Sequence, residues 1–136
     1  MWSAGTLLLS EESEHPVTIV ANILVGIVAL IHVYIVVLEM VLWKTPRVRA
    51  AFGTTEEFAE QSAPLVANQG LYNGFLAAAL LWGLIAPDPS GFQFTLYGLI
   101  CVIVAGLFGA ATASRRILFV QVLPGAVALI AVLIAH

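Results

Sequence analysis

Four apolar stretches, each long enough to cross a lipid bilayer, constrain what this chain can fold into. A helix needs about 20 mostly apolar residues to cross a hydrocarbon core of about 30 Å. The stretches cover residues 17–42, 64–86, 92–113 and 117–135. They predict an all-α integral membrane protein, a four-helix bundle in which residues 1–136 form a single transmembrane domain.

The composition favours a membrane protein and excludes several other classes. Of the 136 residues, 61% are hydrophobic and 10% are charged, whereas a soluble domain carries roughly a quarter charged residues. So few charges cannot cover a water-facing surface or form the basic clusters that bind nucleic acid. The single cysteine, Cys101, excludes an internal disulfide framework and a thiolate-rich metal cluster. We therefore expect the lipid bilayer as a partner and no nucleic acid.

The basic residues predict the orientation of the bundle. All five lie in the connections that follow the first and third stretches, at Lys44, Arg47, Arg49, Arg115 and Arg116. Four spans place both connections on the same side, which the positive-inside rule makes cytoplasmic. Both termini and the turn at residues 87–91 then face outward.

Three local features refine this picture. The acidic start of the chain lacks the long apolar core of a signal peptide, and we expect it to be mobile or to lie at the outer interface. In the first connection, Thr54 as N-cap and Glu57 at the third helical position fit a capping box, which predicts a short interfacial helix. Pro124 predicts a kink in the last span, because proline has no N–H to donate.

Polar side chains inside the spans mark the candidate site. An ionisable residue in a span costs roughly 2.5–3.5 kcal/mol on insertion scales, so it normally faces a partner or water. His32 and Glu39 share one face of the first span two turns apart, and each needs a partner from another helix. Helical spacing places further polar groups in the same, cytoplasmic half: Asn68, Gln69, Tyr72 and Asn73 on the second span and Gln121 on the fourth. The outer half is almost wholly apolar apart from Asn22.

Several runs of residues resemble those of a known family. They are residues 31–40 with their His32 and Glu39, the run NQGLYNG at 68–74, and GAA at 109–111 followed by Gln121 and Pro124. Together they resemble a bacterial four-span membrane family, the domain of unknown function numbered thirteen-zero-four, over about residues 29–124. The resemblance implies a four-helix inner-membrane protein and implies no activity.

The polar cluster predicts a pocket that opens to the cytoplasmic leaflet and binds a small amphipathic or lipid-like molecule. Glu39 and His32 are the hypothetical acid–base pair, should the protein be an enzyme, for a reaction such as isomerisation. The predicted ligand-binding residues are Asn68, Gln69, Tyr72, Asn73, Trp43, Gln121 and Arg115. Each also has a structural interpretation, because amides join membrane helices, tryptophan anchors at interfaces and arginine sets topology.

Two other functions stay open. Alternatively, the protein is a non-enzymatic accessory or structural subunit of a larger membrane complex, with the polar cluster as internal packing. Assembly into a homo-oligomer also stays open. The protein is otherwise a small transporter or proton pathway, which needs polar groups through the whole membrane depth. No metal site is predicted, because a histidine and a carboxylate two turns apart make a poor ligand set. No motif indicates a cofactor, so whether the protein uses one, and which one, stay unknown.

Overall fold

A computed structural model describes residues 15–136 of the protein, and that part of the chain is helical without strands. The helices are α1 (Pro16–Met40), α2 (Pro46–Phe52), α3 (Glu56–Ile85), α4 (Ser90–Thr112) and α5 (Leu118–Ala135). The expected position of the acidic start concerns residues 1–14, which lie outside the described residues. The prediction of an all-α protein is confirmed for the described range.

The four long helices pack side by side as an antiparallel ring. α1 contacts α3 and α5, and α4 contacts the same two helices from the opposite side. Their shared core consists of small and branched side chains from all four: Ala21, Val25, Val28, Ala29, Leu80, Leu99, Val102, Ala128 and Val132. Small residues allow this close approach, since a Cβ at Gly98 would lie 2.8 Å from Leu80 Cδ2.

Three of the described helices are long and apolar enough to cross a membrane, namely α1, α4 and α5. Their outward surfaces are apolar as well, with Leu30, Phe108 and Ile134 exposed by 68%, 71% and 69%. α3 is the longest helix, with 30 residues, but carboxylates and amides occupy its first half. Three candidate spans with apolar outer surfaces suggest a membrane protein.

The chain reversals divide the bundle into two chemically different ends. The connections α1–α3 and α4–α5 lie together at one end, here called the basic end, and contain all five basic residues. The opposite end, here called the turn end, contains the start of α1, the α3–α4 turn and the last residue of α5. His136 Nε2 lies 3.3 Å from Asp88 Oδ2 there, which joins the end of the chain to that turn.

The first connection folds differently from the capping-box prediction. Its short helix is α2, which ends at Gly53, a glycine with φ of 66° that closes the helix in the left-handed region. α3 then begins one residue later than predicted, because Thr55 is the N-cap and has the extended backbone of that position. The Thr55 hydroxyl accepts the Phe58 N–H at 3.1 Å. From there α3 continues without interruption through Pro64 into the long apolar segment.

The start of α5 shows how the chain accommodates Pro124. The turn Leu118–Val122 is π-helical, and the Leu123 N–H donates to the carbonyl of Leu118, five residues earlier. The widened turn lies immediately before a proline that cannot continue the normal ladder. The distortion that the sequence predicted at Pro124 therefore takes the form of a π-helical turn.

Candidate functional site

The candidate site centres on a contact between Glu39, near the end of α1, and Asn73 on α3. Asn73 Nδ2 donates to Glu39 Oε2 at 3.0 Å and to the carbonyl of Gln69 on its own helix at 3.1 Å. Both side chains are half-buried. The second bond fixes the amide group, so that its nitrogen is aimed at the carboxylate.

Gly70 brings the two helices together at this point. A Cβ on Gly70 would lie 2.7 Å from Met40 Cγ and 3.1 Å from Glu39 Cβ. Any larger residue there therefore requires the Met40 side chain or α3 itself to shift. Four residues further along α3, a Cβ on Gly74 would make an ordinary contact with Val36 Cγ2 at 3.6 Å. The glycine places Glu39 against the backbone of α3 within reach of Asn73.

The Glu39 carboxyl group has no basic partner in the part of the chain that the structure describes. The charged contacts there join Lys44 to Glu60, Arg49 to Glu56 and, when His136 is protonated, His136 to Asp88. The first two lie at the basic end and occupy exposed carboxylates of α3. A carboxylate on a candidate span without a counter-charge needs donors from a ligand, from water or from another chain.

The other polar residues of α3 line the outside of the bundle. Asn68, Gln69 and Tyr72 are exposed, and the Tyr72 ring packs edge-on against Phe75 with centroids 5.7 Å apart. They flank Asn73 on the surface, and we call these three residues the amide stripe. The site is thus a surface contact beside α3, extended by a polar stripe.

Three of the predicted ligand-binding residues lie elsewhere and make other contacts. Trp43 Nε1 donates to Ser62 Oγ at 3.0 Å, which ties the α1–α2 connection to the start of α3. Gln121 Nε2 donates to the carbonyl of Val102 at 3.2 Å and so joins the π-helical turn to α4. Arg115 is exposed in the α4–α5 connection. None of these three forms a hydrogen bond with Glu39 among the described residues.

His32 lies in the bundle core and does not contact Glu39. Its side chain is fully buried, and Nδ1 lies 2.8 Å from the carbonyl of Val28, one turn earlier. Because a carbonyl only accepts, Nδ1 carries the proton of this bond. The buried Nε2 has no hydrogen-bond partner among residues 15–136. The unbroken α1 keeps His32 and Glu39 about 10 Å apart along its axis.

Sequence reasoning missed a polar cavity at the turn end. Its volume is about 190 Å³, and its polar lining comes from Thr18, Asn22, Asp88, Thr95 and His136. In the sequence only Asn22 stands out in this half, because threonine is common in membrane helices and does not by itself indicate a site. The signal that would have found it is the spacing of Thr18 and Asn22, one turn apart on α1.

Comparisons with known proteins agree with the resemblance in the sequence. The family described as "Protein of unknown function (DUF1304)" matches residues 26–133. The chain is also similar to "Uncharacterized protein YpaA" of Lactococcus lactis subsp. lactis (strain IL1403), with 29% identity over 106 residues. That alignment covers 76% of this chain and 88% of YpaA. No solved structure matches the chain.

Proposed function

Because the chain belongs to DUF1304, a family of proteins of unknown function, we propose a function from the geometry of its own side chains. The protein is a four-span bundle of the bacterial inner membrane that binds the polar group of a small amphipathic or lipid-like molecule beside Glu39. The observation that carries the proposal is the Glu39 carboxylate, which has an amide partner in Asn73 and no basic partner among residues 15–136.

The amide stripe supports a ligand that approaches from the side. An amide transferred from water to an apolar environment without a hydrogen-bond partner costs several kcal/mol. Asn68 and Gln69 are exposed on α3 beside Asn73, the hydrogen-bond partner of Glu39, and lie close to the basic end. A molecule whose tail lies in the bilayer and whose hydroxyl or amino group reaches Glu39 satisfies the carboxylate and the stripe together.

The antiparallel ring supports α3 as the fourth span. Gly70 lies beside Met40 at one end, and Gly83 lies beside Thr95 near the other. Between Gly70 and Ile85, α3 therefore runs next to candidate spans for about 24 Å at 1.5 Å per residue. The basic end then faces the cytoplasm by the positive-inside rule, with the Glu39 contact in the inner leaflet.

Native mass spectrometry of the full chain, gently extracted from its own membrane, tests the binding proposal. We expect a bound small-molecule mass on the unmodified protein that is lost from a Glu39→Gln, Asn73→Ala variant. The matched control is Glu57→Gln, which changes an exposed carboxylate of α3. A bound mass that is retained by the double variant, or an unmodified chain free of small molecules, overturns the proposal.

The accessory-subunit function is the second candidate, and one observation favours it. The amide stripe points outward, where a helix of another protein would satisfy it as well as a head group does. The same experiment separates the two functions, since a stoichiometric protein partner lost on mutation of Asn68 and Gln69 identifies a subunit. Acid–base catalysis by Glu39 stays a prediction and needs a proton partner nearer than His32.

A further inference from the structure

The cavity at the turn end lies at the opposite end of the bundle from Glu39 and is independent of the proposed function. Side chains from α1, the α3–α4 turn, α4 and the end of α5 line it. Its innermost polar group is Thr95, which is 6% exposed. Gly83 makes room for that hydroxyl, because a Cβ there would collide with Thr95 Oγ1.

Asp88 and His136 form the rim of the cavity. Asp88 Oδ1 accepts the Phe92 N–H at 3.0 Å, which holds the carboxylate at the start of α4. Its other oxygen, Oδ2, lies 3.3 Å from His136 Nε2, and the imidazole stacks on Phe92 with centroids 4.2 Å apart. Asp88 remains 64% exposed, so its free edge is accessible to a ligand at the mouth.

The charge distribution selects the class of ligand. All Lys and Arg residues of the sequence lie in the connections of the basic end, far from this cavity. The formal negative charge at the rim is the Asp88 carboxylate, and the Thr95 and Thr18 hydroxyls and the Asn22 amide supply acceptors. A cation is attracted to such a site and an anion is repelled.

The volume limits the size of the ligand. A cavity of about 150 Å³ in another protein is large enough to bind benzene, so about 190 Å³ holds a molecule of similar size. We propose that this cavity binds a small primary ammonium compound, with its charged group on Asp88 and Thr95 and a short carbon chain between the helices. His136 forms one wall of the site and shares Asp88 Oδ2 with the ligand.

Titration calorimetry of the purified full chain in detergent tests this inference, with n-butylammonium chloride as the probe. 1-Butanol is the neutral control, since it matches the probe in size and lacks the charge. We expect saturable binding of the ammonium, weakened at least about tenfold in Asp88→Asn and in Thr95→Val, which remove a charged and a neutral hydrogen-bond partner. Gln93→Ala, an exposed change at the same end of α4, should bind normally.

Three results would overturn the inference: no saturable binding, equal binding of 1-butanol, or unchanged affinity in both Asp88→Asn and Thr95→Val. Thermal melting of each variant accompanies the titrations. Asparagine at position 88 can still accept the Phe92 N–H, so this variant keeps the contact that holds the turn. A loss of binding in a folded Asp88→Asn chain is therefore a loss of charge recognition.

Discussion

His32 combines complete burial with an unsatisfied nitrogen. Nδ1 is bonded to the Val28 carbonyl, while Nε2 has no partner within the described chain. A buried polar atom without a hydrogen bond costs about 1–3 kcal/mol. Its neighbours on the same face of α1, Val25, Val28 and Ala29, are wholly apolar. A leucine would suit this position better than histidine if the core were purely structural.

Replacing His32 by Leu should therefore leave the free energy of unfolding unchanged or raise it by about 1–2 kcal/mol, because the unpaired Nε2 is removed. Reversible unfolding in mixed micelles measures this. Leu99→Ala calibrates the assay, since truncating a fully buried leucine costs about 2–5 kcal/mol. If His32→Leu lowered the free energy of unfolding by more than about 2 kcal/mol, Nε2 would have to have a hydrogen-bond partner. That partner would be a bound water or a ligand.

At the scale of the elements, the start of α3 shows where local sequence rules reach their limit. Thr54 and Thr55 are adjacent and chemically identical, and the capping-box spacing favours Thr54. The preceding segment determines which threonine caps α3. Gly53, in the left-handed region, is the C-cap of α2, so Thr54 connects the two helices and Thr55 becomes the N-cap. Thr54 Oγ1 is buried without a hydrogen-bond partner within the described chain, whereas Thr55 Oγ1 caps the Phe58 N–H.

Thr55→Ala should destabilise the beginning of α3 by about 0.5–2 kcal/mol, the usual cost of losing an N-cap. Thr54→Ala is the matched control and should leave stability unchanged or raise it by about 1 kcal/mol, because it breaks no hydrogen bond and removes a buried hydroxyl that has no partner within the described chain. Amide hydrogen exchange at Phe58 reports the first turn directly. Faster exchange in Thr54→Ala than in Thr55→Ala would show that the N-cap lies one residue earlier.

The α3 site shows the same division between what the sequence predicts and what packing decides. Helical spacing correctly groups residues 68, 69, 72 and 73 in one arc. It does not say which edge of the arc faces α1. Gly70 decides this, because its close approach to Met40 rotates Asn73 toward Glu39 and leaves Tyr72 on the surface. A stripe of small residues is common in membrane helices, so the sequence alone could not single out this glycine.

At the scale of the whole molecule, the two ends differ in the charges they carry. Long apolar runs predicted the positions of the long helices within two residues, except for the polar first half of α3. The polar side chains in the first half of α3 also lower the hydropathy of this helix. As a result, three of the described helices, and not four, are long and apolar enough to cross a membrane. The number of spans decides whether the basic end and the turn end lie on opposite sides of the membrane.

Labelling with a membrane-impermeant maleimide distinguishes these topologies in a Cys101→Ala background. Ala51, Ser114 and Pro87 are exposed in the basic-end connections and the turn, so single cysteines there report on each end. If the chain has four spans and the basic end lies in the cytoplasm, the reagent should label Pro87→Cys in intact spheroplasts. It should label Ala51→Cys and Ser114→Cys only after the membrane is permeabilised. The reverse pattern would invert the orientation. Equal protection of Ala51→Cys and Pro87→Cys would mean that α3 does not cross, and the Glu39–Asn73 contact would then lie at a membrane surface and no longer within the bilayer.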